Sequence, residues 1–556
     1  MALTSDNSSL STIQADLLIR AKSIKTLQTN QPVQRALAVR GGFIWALSED
    51  LYGLDGCIGP RTRIIESLEA TVLPTFDDTH THLIFAGLNQ FDVPVHTAHD
   101  IKGLLDMIRE RSSKTKLGEW ISTTTNWQEF NLKEKRLPTL EELDSISTTH
   151  PILVRRGGHN MVVNSYALQL AGITMETSSP PGGKIGRDRE GRLSGLLQDS
   201  AVVLIEKIKP SMSLELRISG LSIASAAYAS TGIGCVRDCY VPFDDLALLK
   251  ATYDAGKLHV RVRALVSAIG MSSVTEVDDL LSKMEYWRDL QTGTWLSIWG
   301  VKFGIDGGIE AGATEEAYQQ HSHECGSNIG YRGSILWDHE KLIDAMDVVI
   351  RRGWRIGTHA YGDRAVRLLL DVYERILQRH PNLPRGTLVM EHGGLATAEQ
   401  MTRAVALGIA VTIQQPLLHD VAGIQGVYWG DDRVSRLFPA RGWLDHGAVV
   451  AGGSDYPVGQ YGAMRSVWGM SSRQTVVGVR GIEHAISPAE SVTLHTTLAA
   501  TLLKESDVRG SLSLGRFADL TIWKIDPLDA ENVSRLQDLT PLYTIIGGKV
   551  KHQYLQ

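Results

Sequence analysis

The sequence lacks several features that would direct the search for a function. It has four cysteines in 556 residues and no Cys-x-x-Cys pair, so neither a disulfide framework nor a zinc knuckle is expected. No run approaches the ~20 apolar residues that are needed to cross a bilayer. Residues Met1–Thr12 also lack the basic-then-apolar order of a secretory signal. We therefore expect a cytoplasmic protein in a reducing compartment.

A strong charge of either sign is also missing. The chain has 56 basic and 62 acidic residues, a net charge of −6, and no long basic run. This balance argues against nucleic acid or an anionic membrane as a partner. We expect a small-molecule substrate, and the sequence leaves the oligomeric state open between a monomer and a homodimer.

The composition is that of a globular protein, with 43% hydrophobic and 21% charged residues. A chain of 556 residues exceeds one ordinary domain. It fits a large barrel of ~250 residues or more with accessory domains.

Both ends of the chain have the pattern of short strands. Gly41 and Gly42 separate the alternating runs Ala36–Arg40 and Phe43–Leu47, which indicates a tight hairpin because both turn positions favour positive φ. Similar runs return at 519–524 and 543–551. Since isolated hairpins are only marginally stable, we predict one small β-sandwich domain that is built from residues 1–73 and 495–556.

The middle of the chain, residues 74–494, has the pattern of a TIM-like (β/α)8 barrel. From Leu214 onward, short apolar runs alternate with helical segments, which is typical of a mostly parallel sheet that eight units can close. Residues from about 95 to 213 do not follow this alternation. We interpret them as an insertion after barrel strand 1, in a position to cap a pocket.

The first candidate ligands follow a β-branched, apolar run at the start of the barrel. On a strand, alternate side chains share a face, so Asp78, His80 and His82 point the same way. Neutral imidazoles suit zinc and similar divalent metals, and a nearby carboxylate can orient the rings. A polar strand end would give the same pattern.

Further candidates recur at the spacing of barrel repeats. Lys302, His359, His392 and Asp455 each stand at the carboxyl end of a short apolar run, the edge where barrel enzymes place their chemistry. Their intervals place them on strands four, five, six and eight, with strand seven at 408–414. These residues extend the predicted metal site.

Lys302 has two interpretations. Carbamylation would convert its amine into a carboxylate-like anion that can bridge two metals ~3.5–4 Å apart. Alternatively, a plain ammonium would bind substrate or pair with Asp306. The longer interval that follows, Asp306 to Ser334, is either a lid over the active-site face or a surface excursion.

Four polar residues are candidates for substrate binding. His159 follows an apolar run inside the insertion, where it contacts the substrate or organises a loop. Gln414, Gln415 and His419 follow strand seven at the same rim.

Taken together, these segments resemble a known family. The motifs are Asp-x-His-x-His at 78–82, Gly-Val-Lys-Phe-x-x-Asp-Gly at 300–307, His-Ala-x-Gly-Asp-Arg-Ala at 359–365, Glu-His at 391–392 and Gly-Ser-Asp-Tyr-Pro at 453–457. They resemble the metal-dependent amidohydrolase superfamily, and more narrowly its family 3, in the branch that includes N-substituted formamide deformylases.

The resemblance implies a role for each ligand. His80 and His82 would bind the more buried metal, His359 and His392 the other, and carbamylated Lys302 would bridge them. Asp455 would contact the metal and its water. The implied cofactor is a divalent metal, with zinc favoured, as one or two ions. Thr75 and Tyr361 depart from the family pattern, which suggests a different pocket shape.

The chemistry that these residues support is hydrolysis of a non-peptide C–N bond in an amide, N-formyl or cyclic amide group. Metal activates water and polarises a carbonyl, and Asp455 takes a proton and passes it to the leaving nitrogen. Two alternatives remain. One is metal-dependent cleavage of an ester, lactone or C–C bond, including decarboxylation, and the other is an inactive scaffold.

Overall fold

The computed structural model describes residues 14–157, 160–180, 183–320 and 330–554. Its centre is an eight-stranded sheet in which every strand is parallel to its neighbours and follows them in chain order. Barrel strands 1 to 8 are, in order, Phe76–Thr81, Ile233–Val241, Arg261–Ser267, Leu296–Gly304, Arg355–Ala360, Leu388–His392, Ala410–Ile413 and Val450–Gly452.

The barrel closes just beyond the end of strand 8. The Asp455 N–H donates to the His80 carbonyl at 2.7 Å, and the His82 N–H donates to the Tyr456 carbonyl at 3.0 Å. Strands 1 and 8 are therefore joined at the carboxyl rim of the barrel. The predicted (β/α)8 barrel is confirmed.

Amphipathic helices cover the barrel. His339–Arg351, for example, begins at Asp338, whose carboxylate accepts from the Lys341 N–H at 3.1 Å, and it buries Leu342 and Met346 against the sheet. The barrel helices of ten or more residues are Leu214–Ser230, Asp245–Asp254, Val274–Met284, His339–Arg351, Asp363–Arg379, Ala398–Leu407, Gln415–Trp429 and Ala463–Ser472. Those of five to seven residues are Leu83–Leu88, Asp431–Ser435, Ala440–Asp445, Pro488–Leu494 and Thr497–Leu503, and the four-residue helix Val203–Glu206 belongs to the end of the insertion.

The two ends of the chain pair in one seven-stranded sheet, as predicted for the small β-domain. In spatial order, its strands are Lys549–Gln553, Tyr543–Ile546, Leu520–Trp523, Arg63–Pro74, Leu17–Ile24, Gln34–Arg40 and Phe43–Ser48. Glycine is needed in both hairpin turns, since Gly41, Gly42, Gly547 and Gly548 have φ of 60°, 84°, 58° and 71°. The domain boundaries at residues 73 and 495 stay a prediction.

The insertion after strand 1 contains a sheet of its own. Its five strands are, in spatial order, Ile121–Ser122, Ile152–Arg156, Asn160–Val163, Leu193–Asp199 and Gly183–Arg187. Its helices are Ile101–Lys114, Leu140–Asp144 and Ser165–Leu170. The insertion reaches the barrel rim, because Arg156 forms an ion pair with Glu310 in the loop after strand 4.

Two short strands, Gln474–Thr475 and Gly478–Val479, form a separate hairpin. Over the described ranges, no helix is both long enough and apolar enough to span a bilayer.

Candidate metal centre

His80 and His82 meet Asp455 where strands 1 and 8 are joined. His80 is buried on strand 1, and His82 is the N-cap residue of the helix Leu83–Leu88. The Asp455 Oδ1 lies 2.9 Å from the His82 Nε2 and 3.5 Å from the His80 Nε2. The ligating atoms of the three residues lie within 4.8 Å of one another, which is compatible with one metal ion.

His359 and His392 extend this group across the barrel mouth. The ring centroids of His359 and His392 are 4.4 Å apart, and those of His392 and His80 are 4.6 Å apart. The His359 Nε2 also lies 3.1 Å from the Gly307 carbonyl oxygen. The structure therefore brings together the four histidines and Asp455 that the sequence analysis selected.

Lys302 lies on barrel strand 4, and its charge acts on His80, His359 and His392. Its side chain is buried, and its Nζ has no hydrogen-bond partner in the part of the chain that the structure describes. The pair with Asp306 that we considered is not formed. The Asp306 carboxylate instead accepts from the N–H groups of Ala313, Tyr361 and Gly362 at 2.8, 3.0 and 3.0 Å. A buried ammonium without a partner is costly, so this amine is an unsatisfied group at the centre of the site.

The environment keeps His80, His359 and His392 uncharged. Burial, reinforced by the nearby Lys302 charge, lowers the pKa of His359 to about 4 and that of His80 well below its usual value. Burial and the neighbouring His359 likewise lower the pKa of His392. Neutral imidazole is the form that binds a metal, so these rings are ready to act as ligands at neutral pH.

Glu391 orients His80, a role that the sequence analysis did not assign. The Glu391 Oε2 accepts from the His80 Nδ1 and from the Thr412 Oγ1, each at 2.8 Å, and the carboxylate also pairs with Arg237. Because the Nδ1 of His80 is engaged, its Nε2 is the nitrogen that remains for a metal. The Glu-His pair was recognised as a motif, but nothing in the sequence linked Glu391 to His80.

Gln414 has the same role for His392. Its Oε1 accepts from the His392 Nδ1 at 2.7 Å, and its Nε2 donates to the Thr412 Oγ1 at 2.9 Å. Gln414 therefore contacts the candidate metal centre directly. Its assignment to substrate binding stays a prediction.

The other candidate substrate-binding residues lie further from the histidine rings. Gln415 is buried, and its Oε1 accepts from Arg473 at 3.0 Å. The His419 Nδ1 lies 2.7 Å from the Asp420 Oδ1. His159 is outside the described residues, and the predicted lid at 306–334 is described only up to residue 320 and from residue 330.

Two of the candidate ligands have a strained backbone. His392 has φ of 74° and Asp455 has φ of 59°, a region that side-chain-bearing residues rarely adopt. Asp78 fixes the second turn, because its carboxylate accepts from the N–H and the Oγ of Ser454 at 2.9 and 2.6 Å. Burial raises the pKa of Asp78 to about 7. Such strain commonly marks functional sites.

The family can now be identified. The model of the Amidohydrolase family matches residues 68–552, which is most of the chain. The chain belongs to the amidohydrolase family. This result confirms the predicted resemblance and the predicted enzyme class, an amidohydrolase.

Relatives align with nearly the whole amidohydrolase chain. An N-substituted formamide deformylase from Arthrobacter pascens is 24% identical, with 97% of this chain and 98% of the relative aligned. The protein LONG AFTER FAR-RED 3 from Arabidopsis thaliana is 27% identical over 97% of this chain and 91% of its own. An uncharacterised metal-dependent hydrolase from Pyrococcus furiosus has the same fold, with a TM-score of 0.71, 21% identity, and 92% of this chain and 100% of its own covered.

The residues present in this amidohydrolase fit a divalent metal. Among the described residues, two groups of side chains have all their ligating atoms within 4.8 Å, one formed by His80, His82 and Asp455 and the other by His80, Cys239 and Glu391. The first combines imidazole nitrogen with carboxylate oxygen, a donor set typical of catalytic zinc sites. In the second, Glu391 already binds His80 Nδ1 and Arg237, so the first group is the better candidate.

Proposed function

We propose that this amidohydrolase cleaves a non-peptide C–N bond in an amide, with an N-formyl amine or a cyclic amide as the substrate class. The observation that carries the proposal is the convergence of four histidines and Asp455 around the rim, beside the buried Lys302 amine without a partner. The name of the Arthrobacter pascens relative, an N-substituted formamide deformylase, supports this substrate class.

In this proposal, the candidate ligands hold one or two divalent ions. His80, His82 and Asp455 would hold the first ion, His359 and His392 would hold the second, and Lys302, as a carbamate, would supply a further anionic ligand. The unpartnered Nζ supports carbamylation, because the neutral amine can add carbon dioxide and lose a proton, which replaces a costly buried cation with an anion. Imidazole and carboxylate donors favour zinc.

Asp455 is the residue that we propose moves the proton. When bound, a divalent metal lowers the pKa of coordinated water and polarises the substrate carbonyl. The Asp455 carboxylate lies at the rim, where its Oδ1 is within hydrogen-bond distance of the His82 Nε2, at 2.9 Å. It accepts a proton from the attacking water and returns it to the leaving nitrogen.

The test compares Asp455→Asn with wild type, using metal-loaded protein and a panel of N-formyl amines, cyclic amides and matched esters. We expect kcat for an amide to fall by roughly 10²–10⁴-fold in the variant, which is typical for loss of an acid–base group. Asp432→Asn is the matched control, because Asp432 is exposed on the helix Asp431–Ser435. Full activity in Asp455→Asn would remove Asp455 from the mechanism. If wild type hydrolyses the esters and none of the amides, the proposal of C–N bond hydrolysis is wrong.

A further inference from the structure

A small cavity lies between the insertion and the loop that follows barrel strand 8. The insertion contributes Asn126 and Gln128 to its wall, and the strand 8 loop contributes Val458 and Gln460. The Val458 N–H donates to the Asp455 carbonyl at 2.8 Å. One residue of the cavity wall, Val458, is therefore hydrogen-bonded to Asp455, the proposed proton-transfer residue, and lies three positions after it in the chain.

Two buried amides in this wall lack partners. Asn126 and Gln128 are each only 8% exposed. In the described ranges, the Nδ2 and Oδ1 of Asn126 and the Oε1 of Gln128 have no hydrogen-bond partner. Buried polar groups are nearly always satisfied, so three unsatisfied atoms on two residues of this wall call for a partner that these ranges do not supply. The residue between them is already fixed, since the Trp127 Nε1 donates to the Arg155 carbonyl at 2.6 Å.

The remaining polar groups of the cavity carry little free charge. The Asp420 carboxylate forms an ion pair with Arg465 at 3.8 Å, and it also contacts the His419 Nδ1 at 2.7 Å and accepts from the Gln460 N–H at 3.2 Å. Burial lowers the pKa of His96, so this ring is uncharged at neutral pH. Apolar side chains, among them Val95 and Leu132, complete the wall. The cavity therefore suits a neutral polar group on an apolar spacer.

We propose that this cavity binds the part of the substrate remote from the scissile bond and selects an uncharged group that both donates and accepts hydrogen bonds. A second carboxamide or a ureido group meets this requirement, because Asn126 offers both a donor and an acceptor and Gln128 offers an acceptor. The inference rests on the proposed C–N hydrolysis and adds the substrate's distal group to it.

The test uses two matched substrates, the N-formyl derivatives of 3-aminobenzamide and of 3-isopropylaniline. We expect metal-loaded wild type to favour the carboxamide by at least roughly 10-fold in kcat/KM, mainly through KM, because its amide satisfies the buried groups. Asn126→Leu should remove this preference. Gln128→Leu, the second variant, should reduce the preference, and Asn382→Leu, at an exposed turn, should leave it unchanged.

The outcomes separate this inference from the proposed function. Equal kcat/KM for both substrates in wild type would overturn the inference while C–N hydrolysis stands, and so would equal losses for both substrates in Asn126→Leu. If wild type hydrolyses neither substrate, the proposed function fails for this substrate class. The cavity is then tested separately, by calorimetric measurement of the binding of the two parent amines, 3-aminobenzamide and 3-isopropylaniline. Tighter binding of 3-aminobenzamide that is lost in Asn126→Leu would support the cavity, and equal binding of the two amines would overturn it.

Discussion

Two buried side chains set the orientation of the candidate ligands at the scale of single residues. Glu391 binds the Nδ1 of His80, and Gln414 binds the Nδ1 of His392. In each case the Nε2 is left to face the centre of the site. Partners of this kind hold a ring in the tautomer and direction that metal binding needs.

Replacing Gln414 with leucine should therefore weaken metal binding without unfolding the protein. The change leaves the His392 Nδ1 without its partner, and loss of such a partner typically costs 10–100-fold in metal affinity. Metal affinity can be measured by competition with a chelator of known strength. Gln415→Leu is the control, because Gln415 is the next residue in the chain but accepts a hydrogen bond from Arg473, which is not a candidate ligand. Its metal affinity should stay at the wild-type value. Unchanged affinity in Gln414→Leu would show that this hydrogen bond does not position a ligand.

The ligands could be predicted from sequence, whereas their partners could not. Each of the histidines ends or follows a recognisable apolar run, so strand geometry alone brings them to one rim. Alternation on a strand puts neighbours on opposite faces, yet Glu391 and His392 both contact His80. The positive φ of His392, 74°, is where the chain departs from that alternation. A periodic pattern does not reveal such a turn.

At the scale of elements, a charge network ties the segment after the last helix to the base of the barrel. The Arg263 Nε on strand 3 lies 2.5 Å from the Glu505 Oε1, and Arg509 pairs with Glu505. Arg509 also donates to Asp77 on strand 1, at 2.6 and 2.7 Å. Burial alone would raise the pKa of Glu505, but Arg509 and Arg263 outweigh it and lower the pKa to about 2.

This lowered pKa predicts a dependence of stability on pH. A carboxyl group with a lowered folded-state pKa contributes stability above its unfolded value of 4.5, and that contribution is lost as pH falls toward 2. Metal-free wild type should exceed Glu505→Gln in free energy of unfolding by about 3 kcal/mol at pH 7, and by less at pH 3. Urea unfolding at both pH values measures the difference.

The pH dependence of wild type alone would not isolate Glu505, because the contribution of Asp77 to stability changes with pH in the opposite direction. Burial raises the pKa of Asp77 to about 6, despite Arg509, so its contribution to stability decreases as pH rises from 3.8 through 6. Both proteins keep Asp77, and its pKa is set mainly by burial and Arg509, with Glu505 a smaller cause, so most of its contribution cancels in the difference. A difference between wild type and Glu505→Gln that does not change with pH would contradict the assignment.

The positions of strands and turns could be predicted where a short sequence pattern favours one local structure. The Gly41-Gly42 turn and strand 6 lie where the sequence indicated. The apolar run before Asp78 predicts one continuous strand through His82, but the chain divides at Thr75 between the terminal sheet and strand 1. Both halves are buried, so hydrophobicity alone does not show the division. The five-stranded sheet of the insertion was not predicted. Two of its pairings join neighbouring strands, but the other two join Ile121 to Ile152 and Met161 to Leu197, and a local pattern does not reveal pairs so far apart in the sequence.

At the scale of the whole molecule, the insertion adds side chains to the carboxyl rim of the barrel. Its Arg156 pairs with Glu310 after strand 4, and its Asn126 and Gln128 share a cavity with Val458 after strand 8. The insertion thus contacts loops from separated strands of the barrel. The proposed selective cavity lies at this shared surface.

The most direct test of the account is an anomalous-scattering map of crystals of catalytically active protein. We expect one or two metal peaks at about 2.0–2.1 Å from histidine nitrogens of His80, His82, His359 and His392, with added density on the Lys302 Nζ. Metal peaks elsewhere, with none among these residues, would contradict it. Full amide hydrolysis by the same protein after complete removal of divalent ions would contradict it equally.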